Sequence, residues 1–270
     1  SVEIAVFYHI ALPNDKDLST GDLPVEQVSE QLRIIANSYA AAQSKPTTLF
    51  FTVAGQVEPI RESSNVTQLV VETCSHYGNI QCRVLPRFDR NYEGETLRQL
   101  HRFCRQYPSY RVAYVHNQGP MQMRIDGNNE KLIRHMTMAV TNQLCLKPDA
   151  CNVCGLVFYT MWTYFFPGNM FAASCDYVSR LVAPDDFEDR MNAFVRKLLL
   201  LRLRTQIATN LFPDRMDFFG LDRHAVEHWI GSHPSLKPCD LSTELQGLQY
   251  WKEVDTQNVA FNWSMASNRL

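Results

Sequence analysis

RVAYVHNQGP, Arg111 to Pro120, is the stretch on which the fold turns. Val112, Ala113, Tyr114 and Val115 make a short apolar run that reads as a buried strand, and His116-Asn117-Gln118-Gly119 stops it abruptly. In open α/β sheets the carboxyl ends of the strands form the ligand edge, because neighbouring loops part there and leave a crevice. A site in this chain is therefore expected to begin at His116.

Toward the amino terminus the same grammar repeats. Glu3 to Ile10, Thr48 to Val53 and Gln81 to Leu85 are apolar and β-rich. Between them lie helical periodicities over Val25 to Ala42, Val66 to Tyr77 and Glu93 to Tyr107. The order βαβαβαβ predicts an α/β fold: a Rossmann-like, mainly parallel sheet with helices on both faces and right-handed crossovers. Toward the carboxyl terminus the pattern becomes helical and aromatic. Asn128 to Leu146 and Asp186 to Asn210 read as helices, Pro148 to Gly155 as a cysteine-bearing connector, Phe158 to Phe166 as an aromatic stretch and Asp222 to Ile230 as a shorter helix. The tail from Leu241 is mixed and carries Trp251 and Trp263. With no repeat and no low-complexity linker, residues 1–270 are expected to form one domain.

Composition narrows the function classes. The net charge is −2 and the pI about 6.4, so no global positive field argues for nucleic acid or an anionic membrane. No apolar run of membrane-spanning length occurs, and the 45% hydrophobic content suits a large buried core. Eight cysteines form an even set, and Asn65-Val66-Thr67 and Asn262-Trp263-Ser264 are glycosylation sequons. Together these tilt toward an oxidising secretory compartment, the Golgi or ER lumen or the exterior. The chain opens at Ser1, not methionine, and runs almost at once into a strand, so an upstream signal or anchor is expected to have been trimmed.

Several groups could carry chemistry. His116 and Asn117 stand at the carboxyl end of the strand, where no Asp-x-Asp occurs, so an anion there would be met by imidazole, amide and backbone N–H groups, or by a metal on other ligands. Asp185-Asp186 reads instead as a helix N-cap pair. Gly168-Asn169 is ordinary turn chemistry, and also a place where backbone and amide could approach a sugar. Arg134, on the helix after the opening motif, could give a bidentate contact to an anion or lie solvated.

Glu227 sits in HAVEHWI beside an apolar helical face, where partial burial would raise its pKa toward that of a useful base. His233, in Ser-His-Pro, could reach the same crevice or end the helix beside Pro234. Cys151-Asn152-Val153-Cys154 lacks the second ligand pair that structural zinc needs. Disulfides are preferred, with Cys151 and Cys154 bonded to each other or to Cys145, Cys175 or Cys239, and with a local Cys74–Cys82 bridge. Connectivity stays open. No Gly-x-Ser-x-Gly, Gly-x-Gly-x-x-Gly or Walker sequence occurs, which argues against a serine hydrolase, a nicotinamide enzyme or an ATPase.

Three segments together carry a resemblance: YVHNQG (114–119), CNVCG with FPGNMFAASCDYVSRLVAP (151–184), and GLDRHAVEHWIGSHPSLKPCDLS (220–242). They resemble a glycosyltransferase-like protein family of algae and other protists. In it a strand ends in His-x-Lys-Gly, a Cys-x-x-Cys connector precedes Gly-Asn-Met-Trp-x-Ala-x-Cys-x-Tyr-Val, and Ala-Glu-x-Trp-x-x-Ser-His-Pro comes late. The resemblance spans nearly the whole chain and implies a GT-A-like member of the nucleotide-diphospho-sugar transferase superfamily.

On that reading a nucleotide-sugar donor and a glycan or glycoprotein acceptor are the partners. His9 would frame the nucleotide, His116, Asn117, Gln118 and Gly119 cradle the diphosphate with Arg134 assisting, Gly168 and Asn169 touch the sugar, and Glu227 take the acceptor proton. No cofactor is demanded, a divalent cation (Mn or Mg) being the one left open. Gln118 stands where the family usually has lysine and Phe171 where it has tryptophan. Glutamine offers a diphosphate only neutral donors, so a non-catalytic glycan- or protein-binding module is the alternative. A metal-dependent hydrolase built on the cysteine and histidine set is a third option.

Overall fold

The computed structural model describes residues 2–11, 23–54, 61–86, 93–117, 128–147, 151–159, 163–200 and 224–241. Gln118, Gly119, the carboxyl end of the helix expected to reach Asn210, and the tail with Trp251 and Trp263 lie outside them. So does the sequon at Asn262.

The first half folds as its periodicity predicts. Strands β1 (Ile4–Ala11), β2 (Thr47–Ala54), β3 (Ile80–Val84) and β4 (Arg111–His116) alternate with helices α1 (Leu23–Ala36), α2 (Arg61–Tyr77) and α3 (Gly94–Gln106). There follow α4 (Asn128–Val140), α5 (Gln143–Leu146), β5 (Val153–Gly155), β6 (Phe171–Ser174), α6 (Cys175–Val178), α7 (Pro184–Leu200) and β7 (Pro238–Asp240). A 3-10 helix, Val226–Gly231, lies between α7 and β7. Seven strands form one sheet in the order β3-β2-β1-β4-β6-β5-β7. β6 alone runs against the rest, antiparallel to both β4 and β5, while β5 and β7 pair in parallel. The fold is an α/β, Rossmann-like mixed sheet with helices on both faces.

Side-chain alternation assigns the two faces. Val6, Tyr8 and Ile10 of β1, with Leu49 and Phe51 of β2, pack under α1, α2 and α4. Ala5 and Phe7, with Val112 and Tyr114 of β4, pack under α3, α6 and the 3-10 helix. His9, Thr52 and His116 therefore fall on the α3 face.

Four expectations are corrected. The helix expected over Asn128 to Leu146 breaks in two, because Asn142 takes an extended backbone and its side chain accepts from Leu144 N–H, capping α5 anew. The connector over Pro148 to Gly155 contains strand β5. The segment ending at Ile230 is 3-10 rather than α-helical where it is described. Asp185 and Asp186 stand in the first turn of α7 behind Pro184, where Asp185 pairs with Arg98 of α3.

All eight cysteines are paired: Cys74–Cys82, Cys104–Cys175, Cys145–Cys154 and Cys151–Cys239. No thiolate is left for a zinc. Two of the bridges bind the β5–β7 side of the sheet to its surroundings, and Cys104–Cys175 binds α3 to α6. Arg111, at the amino end of β4, is 1% exposed. Its guanidinium donates to the carbonyls of Cys145 (2.8 Å) and Cys151 (3.1 Å), so it ties α5 to the cysteine-bearing connector that follows. Among the described residues no helix is long and apolar enough to cross a membrane.

Candidate functional site

The parallel registers place one polar line across the carboxyl edge of the sheet. His9 is level with Thr52 on one side and with His116 on the other. Beyond His116, the antiparallel register of β4 and β6 pairs Tyr114 with Phe171, and continuing it brings Asn169 opposite His116. The amino-terminal end of α3 overhangs this line. There His9 Nδ1 hydrogen-bonds the hydroxyls of Thr52 (3.1 Å) and Thr96 (3.0 Å). At the other end Glu93, just before α3, accepts from the Tyr114 hydroxyl (3.2 Å) and from Asn169 Nδ2.

His116 joins the two halves. Its Nε2–H donates to the Gly168 carbonyl and stands 3.8 Å from Glu93 Oε1. Its carbonyl accepts from Gln31 Nε2 (3.0 Å), which also reaches Thr137, while Gln31 Oε1 accepts from the Tyr8 hydroxyl (2.8 Å). This buried network fixes the strand end that carries the imidazole.

The loop before β6 is held in an uncommon backbone. Gly168 has φ +77° and Asn169 φ +49°, the latter tolerated because asparagine visits the left-handed region more readily than most residues. A Cβ at Gly168 would meet Met136 Sδ at 2.7 Å. Gly168→Ala is expected to cost about 1–3 kcal/mol, from the disfavoured φ and the displacement of a buried methionine. An unchanged melting temperature would contradict this.

Glu227 approaches these residues from the 3-10 helix, near enough for its charge to act on Glu93 and for His116 to act on it. That element is pinned by Trp229, whose Nε1–H donates to the Val182 carbonyl (2.8 Å), and by the Tyr177 hydroxyl, which donates to the Ile230 carbonyl (2.7 Å). Gly231 allows close approach, since a Cβ there would strike the Tyr164 backbone. His224 Nδ1–H donates to Glu227 Oε1 at 2.8 Å.

The two carboxyls are tuned in opposite directions. Burial pushes Glu93 above the usual glutamate range against the pull of His116, and the charge of Glu227 pushes the same way. Glu227 is also pushed up by burial. The hydrogen bond and charge of His224, with His228 and His116 behind it, outweigh that, and its pKa lies below the ordinary value. The expectation that burial would leave Glu227 raised is thus corrected: three histidines surround it. Neighbouring carboxyls driven apart in this way offer one proton-holding and one ionised group.

A stability test follows for Glu93. Because its folded pKa is raised, its contribution is complete below the unfolded value of about 4.3 and is lost as pH rises through the folded value. Glu93→Gln, which cannot ionise, is therefore expected to gain melting temperature relative to wild type on going from pH 4 to pH 7. A difference that stays flat with pH would refute the raised pKa.

The sequence-derived site residues divide. His9, His116, Gly168, Asn169 and Glu227 gather at one end of the sheet. Asn117 is there too, but both of its amide groups are occupied. Nδ2 donates to the Ala11 carbonyl (2.9 Å) and Oδ1 accepts from the Ala11 N–H (2.8 Å). It therefore clamps the end of β1 to the end of β4 and does not present a free amide to a diphosphate. Arg134 is set apart by an ion pair with Glu30 of α1 at 2.7 Å. His233 caps its own turn, Nδ1 accepting from the Ser235 N–H at 3.1 Å.

Sequence reasoning missed Glu93, because an acid at a helix start reads as a cap. In the structure its side chain makes no capping bond. Among the described residues no group of three or more His, Cys, Asp or Glu is arranged to hold a metal ion.

Over residues 7–270 the chain matches the family described as "Domain of unknown function (DUF8361)". No curated protein and no solved structure matches it.

Proposed function

The chain belongs to the DUF8361 family, and for this member we propose a nucleotide-sugar-dependent glycosyltransferase acting on a glycan or glycoprotein acceptor. One observation carries the reading. The carboxyl edge of a mainly parallel sheet holds a buried line of hydrogen-bonding groups, from Thr52 to Asn169, with two oppositely tuned carboxyls beside it.

In the inverting form of the reaction, the acceptor O–H gives its proton to Glu227. The acceptor oxygen bonds the anomeric carbon, and the bond from that carbon to the diphosphate oxygen breaks. Glu227 suits the part of base because its neighbours keep it ionised, and His224 orients it. Four disulfides support a lumenal or secreted setting for this chemistry.

The test is a broad donor screen, read by release of nucleoside diphosphate, beside thermal shift with the diphosphates themselves. Turnover of at least one donor, with a shift from its diphosphate, is expected. No turnover and no shift would sink the reading.

The second reading is a glycan-binding module without turnover, favoured by Gln118 in the place where the glycosyltransferase-like family that the sequence resembles has lysine. Gln118→Lys separates the two. Donor affinity rises if the site is a weakened transferase, and nothing changes if the crevice does not meet nucleotides.

A further inference from the structure

The corner formed by His116, Asn169 and Glu93 contains two buried acceptors that the protein leaves unanswered. Asn169 is 1% exposed and His116 3%. Asn169 Nδ2 is committed to Glu93, which settles which way the amide faces, and its Oδ1 has no hydrogen-bond partner. His116 Nε2 carries the proton given to the Gly168 carbonyl, so in the tautomer with that one proton Nδ1 is an acceptor, and it too has no partner. Buried polar atoms are rarely left so, and a pair in one corner points to a ligand that supplies donors. The uncommon backbone at Asn169 agrees, since strain of this kind concentrates where a loop is shaped for binding.

We propose that this corner is a subsite for the hydroxyl groups of a neutral sugar ring, and that Glu93 is the positioning residue that holds the Asn169 amide with its oxygen toward the ligand. This rests on the transferase reading only for whose sugar is bound, the donor's. It also moves the diphosphate away from His116. A phosphate oxygen can only accept, and here it would meet two acceptors and two carboxyls.

Two of the described arginines are engaged elsewhere. Arg98 is bound to Glu95 and Asp185, and Arg134 to Glu30. An ammonium group would also satisfy acceptors. It is less suited than a hydroxyl, because Glu227 is already matched by His224 and burial disfavours a charge on Glu93.

The experiment is ligand-observed NMR of the whole protein with glucose, galactose, mannose, N-acetylglucosamine, xylose and fucose, together with glucosamine and inorganic pyrophosphate. At least one neutral sugar should bind without nucleotide, and pyrophosphate should not displace it. Asn169→Gly keeps the positive φ and removes the amide, and should weaken that sugar about tenfold or more. Glu93→Ala touches no sugar yet should weaken it similarly. Glu93→Gln, which still accepts from Asn169, should restore it, a rescue that mere loss of packing would not give.

Binding of no neutral sugar, binding of glucosamine alone, displacement by pyrophosphate, or an affinity indifferent to both Asn169→Gly and Glu93→Ala would each overturn the proposal. Sugar binding that depends on Asn169 in a protein that turns over no donor sinks the transferase reading and leaves the subsite standing. Donor turnover with KM unchanged in Asn169→Gly does the reverse. If Asn169→Gly fails to fold, the Glu93→Ala and Glu93→Gln pair decides.

Discussion

Glu227→Gln is expected to lower sugar transfer by about 10²–10⁴-fold in kcat, the usual contribution of a positioned general base, with little change in KM for the donor. Glutamine keeps an oxygen to accept from His224, so the 3-10 helix should stay seated on Trp229 and Tyr177. Loss of folding would therefore not explain the lost rate.

The pH dependence gives a second handle on the same group. His224 and the histidines behind it hold the carboxyl below its ordinary pKa, so the acid limb of the rate profile belongs below about pH 4.3. Removing His224 takes away the largest of the lowering influences and should move that limb upward. Since the folded pKa is lowered, this carboxyl also contributes stability that is present above the unfolded value and lost as pH falls through the folded one. A glutamine variant with wild-type kcat would transfer the base to another residue, and Glu93 would be the next to replace.

Arg111→Met is expected to lower stability by about 3–5 kcal/mol, because it strands two buried carbonyls that now accept from a charged donor. Against a total of about 5–15 kcal/mol for a typical domain, that is a large share. The methionine stem fills most of the arginine's volume, so the loss isolates the hydrogen bonds from packing. The acceptors, Cys145 O on α5 and Cys151 O on the connector after it, lie on the stretch that brings three cysteines to their partners. Refolding from the reduced state should then yield more mispaired disulfides than wild type, readable by peptide mapping. Chemical denaturation of the oxidised protein gives the equilibrium cost, and a loss under 1 kcal/mol would show that water replaces the guanidinium.

The legible parts of the sequence were those with enough residues to show a period. β1 carries an unbroken apolar run from Ile4 to Tyr8 and β4 one from Val112 to Val115, and α3 repeats Leu97, Leu100 and Cys104 toward the sheet, so type and order could be read directly. The reversal of β6 could not, because Phe171–Ser174 is four residues long and direction depends on where the preceding turn leaves the chain. β5 and β7, at three residues each, fall below any periodicity.

At the site, His116 and Asn169 were visible as polar residues in the right kind of place. Asn117 looked the same and proved to be a clamp, a difference that rests on the 2.8 Å and 2.9 Å bonds to Ala11 and not on residue type. Glu93 was hidden by its position at a helix start, and the histidines around Glu227 inverted its expected pKa because they converge from one short turn and from a distant strand.

The Cys104–Cys175 bridge has one more consequence. From Glu93 the chain climbs α3 to Cys104, about 16 Å at the helical rise, crosses the sulfurs to Cys175, and returns along β6 to Asn169, about 20 Å at the extended rise. Glu93 and Asn169 then meet, so the whole circuit is a caliper: two stiff arms of similar reach, riveted at the heel by sulfur and touching at the tips. Insertions elsewhere in the chain can lengthen loops without changing the gauge of those tips. The spacing of Glu93 and Asn169 at this corner is set by the arms and the rivet.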